Sequence, residues 1–148
     1  MTGLRVDYDG FSVRLPDGWN DVLEEGTYSD PEEPPPATFA TKTGPGTMYV
    51  TAPVYDEDDA LHPAHGAERL VREWGRRRGG REPIGVDIAS APGGALGTAT
   101  YRVADDFVQI WCLVGAGGVV QASYVCPWAR RHEERDARED LAASLRFA

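Results

Sequence analysis

Two apolar runs joined by glycines in the C-terminal half place the strongest constraint on the fold of this chain. Residues Phe107 to Trp128 are mostly apolar, and Gly115-Ala116-Gly117-Gly118 divides them into two halves of similar length. Such a pattern is typical of two long antiparallel strands joined by a tight turn. A two-residue loop at Ala116-Gly117 fixes the register. The predicted pairs are Gly115 with Gly118, Cys112 with Gln121, and Phe107 with Cys126.

Both faces of this predicted hairpin are largely apolar. One face carries Phe107, Trp111, Leu113, Ala122 and Tyr124, and the other carries Val108, Ile110, Cys112, Val114 and Val125. A strand with only one buried face would alternate apolar and polar residues. The hairpin therefore predicts a sheet that is covered on both faces.

The predicted register also separates the two cysteines of the chain by several residue pairs. Cys112 and Cys126 are then too far apart for a disulfide. We expect two reduced, mostly buried thiols, which suits a cytoplasmic protein.

Other strands are predicted by alternation and turn residues on both sides of a single helix. The strands are Phe11–Leu15, Ala37–Lys42, Thr47–Ala52, Ile84–Ser90 and Leu96–Val103. A helix is expected from Pro63, because apolar residues recur at helical spacing and should pack on the sheet. They are Ala67, Leu70, Val71 and Trp74.

A second helix is predicted from Pro127 to about Leu145. Its middle, residues 130–140, is nearly all charged, and only Ala137, Leu141 and Leu145 form an inward stripe. We therefore expect this helix to lie against an edge of the sheet. Taken together, the elements predict a single α+β domain spanning residues 1–148, with an antiparallel sheet of about six or seven strands and two packed helices.

The negative charge of the chain is concentrated before residue 60. The formal net charge is −9; residues 1–65 carry thirteen acids and three bases, and residues 66–148 carry eleven acids and twelve bases. Such an acidic field repels nucleic acid and attracts a basic protein. The longest strongly apolar stretch is too short to span a membrane. We expect a cytoplasmic protein that contacts neither nucleic acid nor membrane, and a residue bias rich in arginine, alanine and glycine that is typical of a high-GC bacterium.

Two short stretches resemble a known family. The sequence Phe-Ser-Val-Arg-Leu-Pro-Asp-Gly-Trp at residues 11–19 resembles the first strand and Leu-Pro-x-Gly-Trp turn of Mog1/PsbP-like domains. At the other end, the strand Val119–Cys126, a charged helix and Ser144-Leu145-Arg146-Phe147 are similar to the closing elements of that superfamily. The resemblance implies an α+β fold.

The functions of Mog1/PsbP-like domains are diverse, and most rest on binding. The family includes photosystem subunits, nuclear-transport factors, bacterial lipoproteins and small acidic chaperones for effectors of contact-dependent secretion systems. The chaperones share the Gly18-Trp19-x-Asp21 opening. By analogy of fold, the resemblance implies a protein that binds another protein; immunity proteins of toxin pairs are a further use of such a scaffold.

The residues themselves give no catalytic motif. The three histidines are not set in a nucleophilic pattern, and no serine lies in a Gly-x-Ser-x-Gly elbow. His62 and His65 stand near Asp56, Asp58 and Asp59, which leaves a metal site open as an alternative. We expect no cofactor, no catalytic residue and no metal.

The leading hypothesis is a non-enzymatic module that binds a cognate bacterial toxin or secreted effector, as an immunity protein or a chaperone. The alternative is a small-ligand or metal-binding domain of the same fold, and the oligomeric state stays open. Carboxylates of two acidic segments would steer a basic partner, and Tyr28 would supply an aromatic anchor. The candidate partner-binding residues are Glu24, Glu25, Tyr28, Asp30, Glu32, Glu33, Asp56, Glu57, Asp58 and Asp59.

Overall fold

The computed structural model describes residues 5–22, 37–52, 62–115 and 118–147. Within these ranges the chain forms ten strands and two α-helices. The strands are β1 (Arg5–Tyr8), β2 (Phe11–Arg14), β3 (Asn20–Asp21), β4 (Ala37–Ala40), β5 (Thr47–Thr51), β6 (Gly85–Ala91), β7 (Gly94–Val103), β8 (Asp106–Gly115), β9 (Gly118–Pro127) and β10 (Arg146–Phe147). The helices are α1 (Pro63–Arg76) and α2 (Arg135–Ala143). Neither of these helices is long and apolar enough to cross a membrane.

Seven strands form one antiparallel sheet in the order β3-β4-β5-β9-β8-β7-β6. Strands β6 to β9 are sequential hairpins, and the N-terminal half of the chain joins them where β5 pairs with β9. A second, three-stranded sheet has the order β1-β2-β10. The α+β fold with a large antiparallel sheet and two helices is as predicted; the small sheet, with β1 and β10 on either side of β2, was not.

The C-terminal hairpin has the predicted register. Gly115 pairs with Gly118, Cys112 with Gln121 and Phe107 with Cys126. Its two faces belong to two separate cores, as the apolar pattern required. We call the face with Phe107, Trp111 and Tyr124 the front face and the opposite one the back face. Both cysteines are buried and free, Cys126 on the front and Cys112 on the back.

The front face is covered by two elements from opposite ends of the chain. The small sheet contributes Phe11 and Val13, and α2 and the residues after it contribute Leu141 and Leu145. Trp19 is also buried here, which makes it a core residue. The amide of Arg14 donates a 2.8 Å hydrogen bond to the hydroxyl of Ser144, so the two covering elements are tied to each other.

The back face is covered by α1, as predicted from its apolar stripe. Ala67, Leu70 and Val71 are buried against the sheet. Strand β7 opposes them with small residues, and a Cβ added at Gly97 would lie 2.8 Å from the carbonyl oxygen of Ala67. The missing side chain therefore allows the helix to approach the sheet closely.

The second helix corrects the sequence prediction in length and position. A 3₁₀ turn occupies Trp128–Arg130, and α2 begins only at Arg135. The Trp128 indole is flanked by the guanidinium groups of Arg102 at 4.6 Å and Arg131 at 4.2 Å, which favours a turn at this point. Helix α2 packs over the central strands β8 and β9, so the prediction that it lies against an edge is wrong.

The close approach at Gly97 gives a stability test. Gly97→Val should lower the free energy of unfolding by about 1 to 3 kcal/mol, because the new side chain must displace α1 from β7. Gly85→Ala is the matched control, since a Cβ there meets no atom within 4 Å and the change should stay within about 0.5 kcal/mol. Urea unfolding of the three proteins measures both effects, and equal stability of the two variants would contradict the packing.

Candidate functional site

The candidate partner-binding residues all lie outside the described part of the chain. They belong to the segments 23–36 and 53–61, so their arrangement stays a prediction. The structure does describe the four residues that bound these segments. They are Val22, Ala37, Ala52 and His62.

The bounding residues lie at one end of the large sheet. Strands β3 and β5 run antiparallel to β4, so the end of β3, the start of β4 and the end of β5 coincide. The amide of Val22 donates a 2.8 Å hydrogen bond to the carbonyl of Thr38, which closes the first segment. Helix α1 begins at the same end, because Ala67 contacts Gly97 near the start of β7. We call this the anchor end.

Charge is divided unevenly between the acidic segments and the rest of the chain. Segments 23–36 and 53–61 contain nine acids and no base, which equals the whole formal net charge of −9. The described residues carry equal numbers of acids and bases. The excess negative charge is therefore attached entirely at the anchor end.

At the opposite end of the sheet, the carboxylate of Glu134 joins α2 to the β4–β5 loop. One oxygen accepts hydrogen bonds from the Tyr124 hydroxyl at 2.8 Å and the Gly46 amide at 3.0 Å. The other accepts one from the Thr41 hydroxyl at 3.2 Å. A Cβ at Gly46 would collide with the Tyr124 ring, so the loop can close here only with glycine. This carboxylate has a structural role.

Arg138 is the most deeply buried charged residue of the described chain, with 3% of its surface exposed. Its Nε donates to the Gln109 side-chain oxygen at 2.8 Å, and one terminal nitrogen donates to the carbonyl of Arg131 at 2.7 Å. The guanidinium lies 4.7 Å from the Phe107 ring centre and 4.9 Å from that of Tyr124. Neutral oxygens and ring faces thus replace water around this cation.

Burial also raises the pKa of three other core side chains. It raises the pKa of the Cys112 thiol to about 12, and it raises the pKa of the Cys126 thiol as well. Burial, reinforced by the hydrogen bond to Glu134, raises the pKa of the Tyr124 phenol above its ordinary value of 10.0. A thiol needs a lowered pKa to act as a nucleophile near neutral pH, so both cysteines are unreactive core residues.

The histidines that suggested a metal site are exposed. The ring centres of His62 and His65 are 5.0 Å apart at the start of α1. In the described ranges, no three histidine, cysteine or carboxylate side chains are grouped to hold a metal ion. Asp56, Asp58 and Asp59, the other members of that candidate site, lie outside those ranges.

Among the surface grooves lined by described residues, two have similar volumes. One of about 520 Å³ borders the β4–β5 loop and includes Asp17, Lys42 and Glu134. The other, of about 470 Å³, lies on the front face beside β6. The second groove was not predicted from the sequence. Its signal is that Thr98 and Thr100 alternate with small residues along β7, which makes the front side of this strand polar.

Neither a family model nor a curated protein matches the sequence. Among solved structures, the solution structure of cyanobacterial PsbP (CyanoP) from Synechocystis sp. PCC 6803 matches 98% of this chain and 92% of its own, with a TM-score of 0.66 and 16% identity. The protein has a Mog1/PsbP-like fold. A crystal structure from Bacteroides thetaiotaomicron VPI-5482 matches the full chain over 49% of its own length, with a TM-score of 0.59 and 14% identity.

The likeness to PsbP confirms the fold implied by the Phe11–Trp19 and Ser144–Phe147 stretches. In this chain the first stretch forms β2 and the turn after it, where the Trp19 amide donates to the Pro16 carbonyl at 3.1 Å. The last stretch caps the C-terminus of α2 with Ser144 and then forms β10, which pairs with β2. The two stretches that carried the resemblance thus lie in the cover of the front face.

The Glu134 contacts of this PsbP-like fold give a second stability test. Glu134→Ala should lower the free energy of unfolding by about 2 to 4 kcal/mol, since it leaves the Tyr124 hydroxyl and the Gly46 amide without their acceptor. Glu133→Ala is the control, because Glu133 is an exposed neighbour whose ion pair among the described residues is with Arg130. Thermal and urea unfolding should show a small change for the control, and an equal loss in both variants would contradict the role of Glu134.

The raised pKa of Tyr124 predicts a stability loss at alkaline pH. The folded state favours the protonated phenol, so this contribution is complete below pH 10.0 and is lost as the pH rises further. The free energy of unfolding should fall more steeply above about pH 10 in the wild type than in Tyr124→Phe, by up to about 1.4 kcal/mol per pH unit. Parallel curves for the two proteins would contradict the prediction; Tyr49→Phe, at an exposed position, is the control.

Proposed function

We propose that this protein is a non-catalytic binding module of the bacterial cytoplasm that captures a basic toxin or secreted effector at its anchor end. The observation that carries the proposal is the location of charge. Nine acids and no base lie in two segments whose bounding residues lie at one end of the sheet. A concentrated field of one sign accelerates association with a partner of opposite sign.

The described part of the chain supports this role because it has no net charge. Its acids and bases balance, and the two cores fix the strands that bear the acidic segments. A partner would therefore be attracted to one end of the molecule and not to its whole surface. The same geometry disfavours nucleic acid, because phosphates would be repelled at the anchor end.

Two variants of this function differ in the surface that they use. An immunity protein that occludes a toxin through carboxylates should lose association rate steeply as salt is raised. A chaperone that holds an apolar segment of an effector should respond weakly to salt. Measuring the association rate at low and high salt with the same partner separates the two.

Binding should depend on the segment 53–61 and not on net charge alone. The test partner is the toxin or effector encoded beside this gene, and the test variant combines Asp56→Asn, Glu57→Gln, Asp58→Asn and Asp59→Asn. The matched control removes four charges from exposed residues away from the anchor end, with Glu82→Gln, Asp105→Asn, Asp106→Asn and Glu133→Gln. At low salt, titration calorimetry should give a Kd about tenfold higher for the test variant, and about the wild-type value for the control.

Two results would overturn the proposal. Absence of a complex at low salt by size-exclusion chromatography and calorimetry would remove the binding function. Equal weakening by the test and control variants would show that net charge, and not the anchor end, attracts the partner.

A further inference from the structure

We propose that the free edge of β6 is a docking strand for an extended, basic segment of another protein, and that the groove beside β6 receives an arginine or lysine side chain of that segment. This inference deepens the proposed function and rests on it only for the identity of the partner. The residues that form this edge and groove do not belong to segments 23–36 and 53–61.

Strand β6 is the last strand of the large sheet. All seven of its residues pair with β7, and no described strand pairs with its other edge. It contains no proline and a single charged residue, Asp87. An edge of this kind offers unpaired amides and carbonyls to a chain of extended conformation.

The groove lies on the front face next to this edge. Its volume is about 470 Å³. Helix α2 and the small sheet cover the central strands, so the polar front side of β6 and β7 stays open toward α2. The side chains that line it include Asp87, Thr98, Thr100, Gln109, Trp111 and Glu139.

The side chain of Gln109 lines this groove, and its amide group is a probe of whether the groove is occupied. Its side-chain oxygen must face Arg138, because the arginine Nε can only donate in their 2.8 Å hydrogen bond. The amide NH₂ therefore points away from Arg138, and it has no partner among the described residues. In that part of the chain every side-chain nitrogen or oxygen sealed from solvent is hydrogen-bonded. The NH₂ of Gln109, a residue that is only 6% exposed and lines the groove, is therefore not sealed from solvent.

The charges of the groove select a cation. Asp87 stands on β6 and Glu139 on α2, and none of the described residues that line the groove is positively charged. Glu139 has an exposed ion pair with Arg135 at 3.6 Å, whereas Asp87 has no ion pair within the described ranges. Two carboxylates beside threonine hydroxyls suit a guanidinium or ammonium group.

Strand addition would place such a group correctly. In an antiparallel pair, residues directly opposite each other point to the same face of the sheet. A residue paired with Asp87 on a strand added to β6 therefore projects over the front face, toward the groove. The exposed Ile84, just before β6, offers an apolar contact to the same segment, since 61% of its surface is accessible.

The probe is a capped seven-residue peptide that alternates threonine and valine around a central arginine. Amide chemical shifts of the ¹⁵N-labelled protein should change along β6 and at the Gln109 side chain when this peptide is added. A peptide with a central glutamate should bind about tenfold more weakly. A peptide of equal charge that is N-methylated at the amides facing β6 should bind at least as weakly, because it cannot pair with β6.

A matched pair of variants locates the charge. Asp87→Asn should weaken binding of the arginine peptide about tenfold and bring its Kd near that of the glutamate peptide. Asp105→Asn removes the same charge from an exposed turn at the far end of β7, and should leave the Kd within about twofold.

Four results would overturn the inference. Shift changes confined to residues away from β6, or equal binding of the N-methylated peptide, would show that charge alone attracts the peptide. Free arginine amide that perturbs Gln109 as strongly as the peptide does would make the groove a small-molecule site. Protection of β6 amides that grows with protein concentration, without peptide, would make the edge a contact between two copies of this chain.

The same variants separate this inference from the proposed function. If the toxin or effector binds wild type and Asp87→Asn equally while the peptide binds neither, the β6 inference fails and the anchor-end function stands. If the peptide binds as expected but no complex forms with the toxin or effector, the proposed function fails alone.

Discussion

The fold depends on the burial of one hairpin from both sides. Strands β8 and β9 are apolar on the front and on the back, so neither face can be left to water without a large loss of stability. Each face therefore needs a cover. The chain provides α1 for the back, and assembles α2 with a small three-stranded sheet for the front. The N-terminal and C-terminal strands meet in that sheet for this reason.

How far the sequence predicts the structure depends on the range of the interaction. Register and faces of the hairpin follow from glycine positions and from alternation, which are local signals. The stripe of α1 is local too. Arg138 could not be identified as buried, because its neighbours in sequence are charged and its partners are Gln109 and the carbonyl of Arg131. Two-residue strands such as β10 are too short to show an alternation of apolar and polar residues.

The candidate sites show the same division. The acidic segments are evident from composition, whereas their attachment at one end of the sheet depends on strand pairing. The groove beside β6 was hidden, since its floor belongs to three strands and its far wall to α2. Thr98 and Thr100 gave a signal, but a polar side of a strand predicts exposure and not a concave site. The groove exists because α2 does not cover this part of the sheet, and that depends on tertiary packing.

Arg138 also limits where α2 can sit along its own axis. A shift of the helix by one turn would exchange this residue for Glu134 or Ala142. Glu134 would no longer accept hydrogen bonds from Tyr124 and Gly46, and Ala142 has no group that donates to Gln109. An apolar stripe alone would tolerate such sliding. The buried guanidinium of Arg138 does not, because its two acceptors are fixed. Arg138 thus fixes the position of α2, a helix of only nine residues, and the front core closes in a single arrangement.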